Sequence, residues 1–251
     1  MSHIHLPDGI LPLWLVVAGW AVTIVLLGGI LRRLRRNPEE LTGRVARLGV
    51  VAALMMVGMS LEVVPIAYHF NLSVLAGILL GPAAGFLAAF LVVFILALFG
   101  HGGITVVGLN ALVIGSEVVL GSVLFWVFGR LLGDRPFWQA FLTTVVALAV
   151  STTVMVGLIG VAQINPAEQA PRAVIAFKNP FEGGLFRLEV FTEEPHEAPE
   201  AGGLDLPTFA AVVYTLGLVG WVLEGILTGV IVSYLRQVRP DLLPASGAPH
   251  D

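Results

Sequence analysis

Two histidines near the amino terminus, His3 and His5, have the spacing in this chain that best permits metal chemistry. If Met1 is removed, as the small side chain of Ser2 permits, the free amine of Ser2 becomes available. That amine, the backbone amide nitrogen of His3 and the His3 imidazole can then chelate one metal ion in two fused rings. A further imidazole would complete a square-planar set of four nitrogens, which suits Ni(II) or Cu(II) and less strictly Co(II). The alternative is that both histidines are solvated, as terminal histidines usually are.

The composition limits the class of protein and the chemistry open to it. With 57% apolar and 12% charged residues, the chain is predicted to lie mostly in a lipid bilayer. It has no cysteine, which excludes thiolate metal sites and disulfides. It contains no GxxxxGK[ST] phosphate-binding loop, and Ser73, Ser116 and Ser122 have no well-placed histidine. We therefore expect neither an enzyme nor an ATPase, with no cofactor and no nucleic-acid partner.

The apolar runs predict an all-α, polytopic transmembrane helical bundle of about seven helices, forming one membrane domain over residues 1–251. The basic residues after the first run, beginning with Arg32 and Arg33, predict a cytoplasmic loop there. The amino terminus is then outside and the carboxyl terminus cytoplasmic. No basic region precedes the first helix, which argues against a cleaved signal peptide. Besides the interrupted stretch 72–99, the predicted helices cover residues 11–31, 45–66, 106–132, 137–161 and 209–235.

The apolar stretch 72–99 is interrupted by Gly81-Pro82, because proline removes a helical hydrogen bond and obstructs the preceding turn. Two passes through this stretch agree better with the distribution of basic residues than one. Residues 72–80 are too short to cross the bilayer, so they are predicted to form a short, buried helix. Gly77, Gly81 and Gly85 recur at every fourth residue, a spacing that allows close helix packing within this bundle or against another subunit.

Two further regions carry polar residues. Residues 163–207 contain eight acidic residues and are predicted to form an extracytoplasmic loop insertion. Alternating residues between 173 and 192 predict a small hairpin within it. Glu62, Glu117 and Glu224 lie in or near apolar helices, where an unpaired carboxylate is costly, so each is expected to face the bundle or an interface. Packing and a proton-linked role are both open for Glu62 and Glu117.

Four segments together resemble a known family over nearly the whole chain outside residues 163–207. They are His5-Leu6-Pro7-Asp8-Gly9-Ile10-Leu11-Pro12, then His69 followed by Leu79-Leu80-Gly81-Pro82, then His101-Gly102-Gly103-Ile104-Thr105 with Gly108 and Asn110, and finally Glu224-Gly225 through Arg239-Pro240-Asp241. They resemble the CbiM/NikM family, the substrate-binding membrane components of cobalt and nickel energy-coupling-factor (ECF) ABC transporters.

The resemblance implies a square-planar metal site. Its ligands are the terminal amine, the amide and imidazole of the following histidine, and a histidine after the second helix, which matches His69. Alignment on the Pro7-Asp8-Gly9 motif places the first histidine at His5, whereas the chemistry of a free amine places it at His3. We favour Ser2 and His3 for the chelate, with His5 nearby as an axial or supporting group. Two roles are open for His101: the resemblance favours gating of the site or a hydrogen bond to it, and the alternative is a structural, partly solvated histidine. Thr105 and Asn110 can orient imidazoles by hydrogen bonds.

The function implied by the resemblance is that of a substrate-capture component in the cell membrane, which binds Ni(II) or Co(II) outside and delivers it inward. The partners implied are a transmembrane coupling subunit, a pair of ATPase subunits and a small auxiliary membrane subunit, which residues 163–207 would replace or receive. The alternative is a self-sufficient, proton-coupled secondary metal transporter that uses Glu62, Glu117 or Glu224 for proton transfer.

Overall fold

The computed structural model describes residues 11–35, 38–60, 62–63, 68–100, 102–163, 173–177, 188–192 and 206–244. In these ranges the chain forms six α-helices, which are α1 (Leu13–Arg35), α2 (Pro38–Ser60), α3 (Ser73–Leu98), α4 (Val107–Leu132), α5 (Pro136–Gln163) and α6 (Leu206–Val238). Two short antiparallel pairs join β1 (Glu62–Val63) to β2 (Tyr68–His69) and β3 (Ala173–Phe177) to β4 (Leu188–Thr192). A short 3-10 helix, Pro240–Leu242, follows α6.

The helices confirm a multi-pass helical membrane protein. Five of the described helices, α1, α3, α4, α5 and α6, contain stretches long and apolar enough to cross a membrane, while the apolar part of α2, Val45–Ser60, is shorter. The predicted number of passes and the predicted sides of the two termini stay predictions.

Helix α3 reverses direction at Gly81, whose φ of 75° and ψ of 178° are not helical. A Cβ placed on Gly85 would lie 3.3 Å from the carbonyl oxygen of Ala76. In a straight helix these two residues would be separated by about 13.5 Å along the axis, so the chain must double back between them. Residues 73–80 therefore form a short helix of their own, and residues 73–78 are buried. The predicted break at Gly81-Pro82 and the predicted short, buried helix are both confirmed.

The glycines of α3 pack inside this bundle. A Cβ on Gly77 would overlap the carbonyl oxygen of Val118 in α4, and a Cβ on Gly85 would meet the Val118 side chain. On the other side of the contact, a Cβ on Gly121 would lie 2.9 Å from the carbonyl oxygen of Val74. The small residues thus let both halves of α3 approach α4 closely.

One predicted boundary and the predicted surface position of Asn71 were wrong, and one predicted hairpin is confirmed. The second helix was expected to reach residue 66 but ends at Ser60, before β1. Pro65 disfavours helical geometry in the residue before it, which accounts for an early end. Of residues 68–71, which were expected to turn at the outer surface, Asn71 is instead buried, and its side-chain amide donates a hydrogen bond to Glu117. Strands β3 and β4 form the predicted hairpin.

Candidate functional site

Helix α1 and the start of α4 are joined by hydrogen bonds at one end of the bundle. The indole Nε1 of Trp20 donates to the carbonyl oxygen of Thr105 at 2.7 Å, and the Thr23 hydroxyl donates to the carbonyl oxygen of Gly108 at 2.8 Å. Gly108 permits this approach, since a Cβ there would lie 2.7 Å from the Trp20 backbone nitrogen. The chain therefore enters α1 at the end of the bundle where loop 102–106 lies.

His69 lies in β2, on the short segment that connects α2 to the start of α3. It is half-buried, and its backbone pairs with Glu62 across the β1–β2 ladder. Two residues later, Asn71 is only 1% exposed. The segment between His69 and Ser73 is therefore held inside the protein, although it is not helical.

Glu117 of α4 binds this segment and joins it to α5. Its Oε2 accepts hydrogen bonds from the Asn71 side-chain amide at 2.7 Å and from the Ser73 hydroxyl. Its Oε1 accepts a hydrogen bond from the Ser151 hydroxyl at 2.6 Å. Glu117 is 1% exposed, so these donors replace water around the carboxyl group.

Glu224 of α6 binds the backbone at the start of α3. Its Oε1 accepts a hydrogen bond from the backbone N–H of Leu72 at 2.9 Å, and its Oε2 accepts one from the backbone N–H of Asn71 at 3.4 Å. Leu72 has a φ of 57°, and it is the one described non-glycine residue with a positive φ. A carboxylate at a helix amino terminus is favourable because unpaired amides and the helix dipole both point toward it.

The non-helical segment formed by Asn71, Leu72 and Ser73, which we call the buried turn, lies well within the bundle. Glu117 is ten residues beyond Val107, the first residue of α4, which places it about 15 Å along the helix. Irregular backbone at membrane depth is tolerated where protein surrounds it and satisfies its polar groups. Asn71, Leu72 and Ser73 meet that condition through the two carboxylates. The expectation that Glu117 and Glu224 face the bundle is confirmed, whereas the side chain of Glu62 lies outside the described residues.

The predicted metal ligands are only partly within the described part of the chain. Ser2, His3, His5 and His101 lie outside the described residues. Across the ranges that the structure describes, no group of three or more histidine and acidic side chains is arranged to hold a metal ion. The predicted ligand set therefore stays a prediction.

The two residues predicted to orient imidazoles both lie near the junction of α1 with α4. The Thr105 carbonyl accepts a hydrogen bond from Trp20. Asn110 is buried in the first turn of α4, where its backbone N–H donates to the carbonyl oxygen of Val106 at 2.9 Å. Their predicted hydrogen bonds to imidazoles stay predictions.

The sequence did not point to three residues of this hydrogen-bond network, Asn71 and Ser73 in the buried turn and Ser151 in α5. Asn71 precedes an apolar helix, a position where an asparagine often caps the helix, and this was an available signal. In the sequence, Ser73 suggests only a possible nucleophile, and Ser151 lies in an apolar run without any local signal. Ser73 and Ser151 instead donate hydrogen bonds to Glu117.

The carboxyl-terminal end of α6 and the residues directly after it carry two exposed ion pairs. Arg236 donates to Asp134 at 3.1 Å, which ties α6 to the α4–α5 connection. Arg239 and Asp241 form a second pair at 2.9 Å. The hydrogen bond between them raises the pKa of Arg239 and lowers the pKa of Asp241. Because these side chains are exposed, we expect both pairs to contribute little to stability.

The chain is similar to a known protein family over most of its length. Residues 5–242 match the family model CbiM, described as the cobalt uptake substrate-specific transmembrane region. The chain is 31% identical over 250 residues to a putative fused nickel transport protein NikMN of Archaeoglobus fulgidus, covering 98% of this chain and 70% of the relative. It is 28% identical over 255 residues to the cobalt transport protein CbiM of Sorangium cellulosum, covering 95% and 94% of the two chains.

A third relative is longer than this chain. The chain is 26% identical over 245 residues to a putative fused cobalt transport protein CbiMQ of Methanocorpusculum labreanum. The match covers 95% of this chain but 36% of that relative.

The fold is also similar to a crystal structure of a truncated transition metal transporter. The two share a TM-score of 0.70 at 19% sequence identity, covering 94% of this chain and 99% of the other. At this identity the similarity concerns the fold alone.

Proposed function

This chain belongs to the CbiM family, and from that membership we propose that it captures Ni(II) or Co(II) outside the cell membrane for import. The observation that carries the proposal is the family match over residues 5–242, which includes His69 and the whole buried turn after it. The relatives named above as nickel and cobalt transport proteins support the choice of these two metals.

The proposed metal site combines the amino terminus with His69. The Ser2 amine and the His3 amide and imidazole supply three nitrogens, His69 supplies the fourth, and His5 lies beside them. The packing of α1 against loop 102–106 supports this site, because α1 begins at the end of the bundle where the loop that follows His101 lies. His101, Thr105 and Asn110 are the proposed gating or orienting residues. Nitrogen ligands in one plane favour Ni(II), and Co(II) less strictly, over the tetrahedral geometry of Zn(II).

We propose that import requires partner proteins. In this proposal a pair of ATPase subunits hydrolyses ATP and acts through a transmembrane coupling subunit, since this sequence contains no phosphate-binding loop of its own. The fused relatives support this arrangement, since they are longer than this chain and are named as fused transport proteins. Residues 163–207 would replace or receive a small auxiliary membrane subunit, and import that is unchanged after their deletion would contradict that role.

Metal titration of the purified protein tests the proposed site. The protein with Ser2 as its first residue, verified by mass, is titrated calorimetrically with Ni(II), Co(II) and Zn(II). Two variants are compared with it, one with an extra residue before Ser2 and one with His69→Ala, and His196→Ala in the 163–207 loop is the matched control. We expect tight Ni(II) or Co(II) binding in the wild type and in the control. The extra residue and His69→Ala should each remove tight binding, and His69→Ala should keep only weak binding by the terminal nitrogens. Unchanged binding in both variants would contradict a site built from the terminus and His69.

Transport in reconstituted vesicles tests the proposed mode of import. Metal uptake is expected only when the coupling and ATPase subunits and ATP are present. Uptake by this chain alone, driven by a proton gradient, would instead identify a secondary transporter.

A further inference from the structure

We infer that Glu224 and Glu117 are positioning residues for His69, because they hold the buried turn that follows His69 by two residues. The inference rests on the proposed function, since it assumes that His69 is a metal ligand. Neither carboxyl group would touch the metal. They would act by keeping the His69 imidazole where a terminal chelate can meet it.

Few residues separate His69 from the backbone amides that Glu224 binds. His69 is two residues from Asn71 and three from Leu72, whose amides both donate to Glu224. On its other side, the His69 backbone pairs with Glu62. A displacement of the turn is therefore transmitted to His69 through two or three residues.

The turn also needs external support. Leu72 has a φ of 57°, a conformation that is unfavourable for a leucine and persists only where surrounding contacts impose it. The Leu72 side chain is 5% exposed, and its amide binds Glu224. Loss of the Glu224 contacts would release this strain and let the turn relax.

Replacement by glutamine should have different effects at the two positions, because the two carboxyl groups accept hydrogen bonds from different kinds of donor. Glu224 accepts from two backbone amides, which can only donate, so a glutamine would direct its own NH₂ group at one of them. Glu117 accepts from Asn71 and Ser73 on one oxygen and from Ser151 on the other. A glutamine at 117 can keep its oxygen toward Asn71 and Ser73 and donate its NH₂ to the Ser151 hydroxyl, since a hydroxyl also accepts.

The experiment measures Ni(II) binding by the full-length purified protein and by Glu224→Gln, Glu117→Gln and Glu117→Leu. Ser116→Ala is the matched control, because Ser116 neighbours Glu117 but binds the Val113 carbonyl of its own helix. The readouts are the dissociation constant, the ligand-field absorption of the bound Ni(II) and the thermal unfolding midpoint. We expect affinity to fall about tenfold or more in Glu224→Gln and Glu117→Leu, with altered absorption. Glu117→Gln and Ser116→Ala should stay within about threefold of the wild type.

A combination with His69→Ala separates positioning from a general effect on folding. If Glu224 acts through His69, Glu224→Gln should not further weaken the residual binding by the terminal nitrogens in a His69→Ala background. An equal loss in both backgrounds would overturn the inference. If Glu224→Gln does not fold, Glu224→Asp takes its place, because its shorter side chain keeps both acceptors but not their reach to both amides.

The outcomes distinguish this inference from the proposed function. If wild-type binding depends on His69 but is unchanged in Glu224→Gln or its substitute, the positioning role is overturned and the metal site stands. If the wild type binds no Ni(II), or binds it independently of His69, the proposed site and this inference both fail.

Discussion

Trp20 donates a hydrogen bond from its indole Nε1 to the carbonyl oxygen of Thr105 at 2.7 Å, across 85 residues of sequence. One turn later in α1, Thr23 makes a similar bond to the carbonyl oxygen of Gly108. Both bonds join the first helix to the junction of a loop with α4. A metal site that uses the amino terminus would depend on this junction, because the residues that precede α1 are joined to the bundle at its first residue.

Trp20→Phe should therefore weaken both the fold and metal binding. The change keeps an aromatic ring but removes the donor to Thr105, and we expect the free energy of unfolding to fall by about 1 kcal/mol. Ni(II) affinity should fall as well, because α1 is then held less firmly. Chemical denaturation in detergent and metal titration measure the two effects. Trp14→Phe is the control, since Trp14 is 40% exposed, and equal behaviour of the two variants would contradict the prediction.

Gly108→Ala tests the close approach of α1 to α4. An added Cβ would lie 2.7 Å from the backbone nitrogen of Trp20 and 2.8 Å from its Cα, so one helix must shift. We expect the free energy of unfolding to fall by about 1–3 kcal/mol. Gly157→Ala is the matched helical control, because nothing lies within 4 Å of a Cβ there. That control should be neutral or slightly stabilising, since alanine favours helix more than glycine does.

The sequence predicted those parts of the fold that depend on local signals. Gly81-Pro82 marks the reversal of α3 because proline and glycine act on their own backbone. The hairpin of β3 and β4 was likewise predicted from alternation over twenty residues. The early end of α2 was missed because the apolar pattern continues beyond Ser60, although Pro65 was an available signal.

The buried turn after His69 could not be predicted in the same way. Its hydrogen bonds join Asn71 to Glu117 across 46 residues and Leu72 to Glu224 across 152 residues. The cost of an unpaired carboxylate in lipid predicted that Glu117 and Glu224 face inward. Their choice of partners depends on how the helices pack, which a single sequence does not specify.

Gly81→Ala should disturb the reversal of α3. With a φ of 75° and a ψ of 178°, Gly81 occupies a region that residues with a Cβ rarely adopt. We expect a loss of about 1–3 kcal/mol in the free energy of unfolding. Gly28→Ala is a suitable control, because a Cβ at that helical position would meet nothing within 4 Å. Chemical denaturation of both variants measures the difference, and equal stability would contradict a requirement for glycine at the reversal.

Ser151→Ala should destabilise the protein through Glu117. Ser151 is 2% exposed and donates to Glu117 Oε1 at 2.6 Å, so its removal leaves a buried acceptor with one donor fewer. We expect the free energy of unfolding to fall by about 1–2 kcal/mol, since hydrogen bonds between membrane helices are worth no more than this. Ser116→Ala removes a hydroxyl bound within its own helix and should cost less. The effect of Ser151→Ala should disappear in a Glu117→Leu background, and its persistence there would show that Ser151 acts by some route other than Glu117.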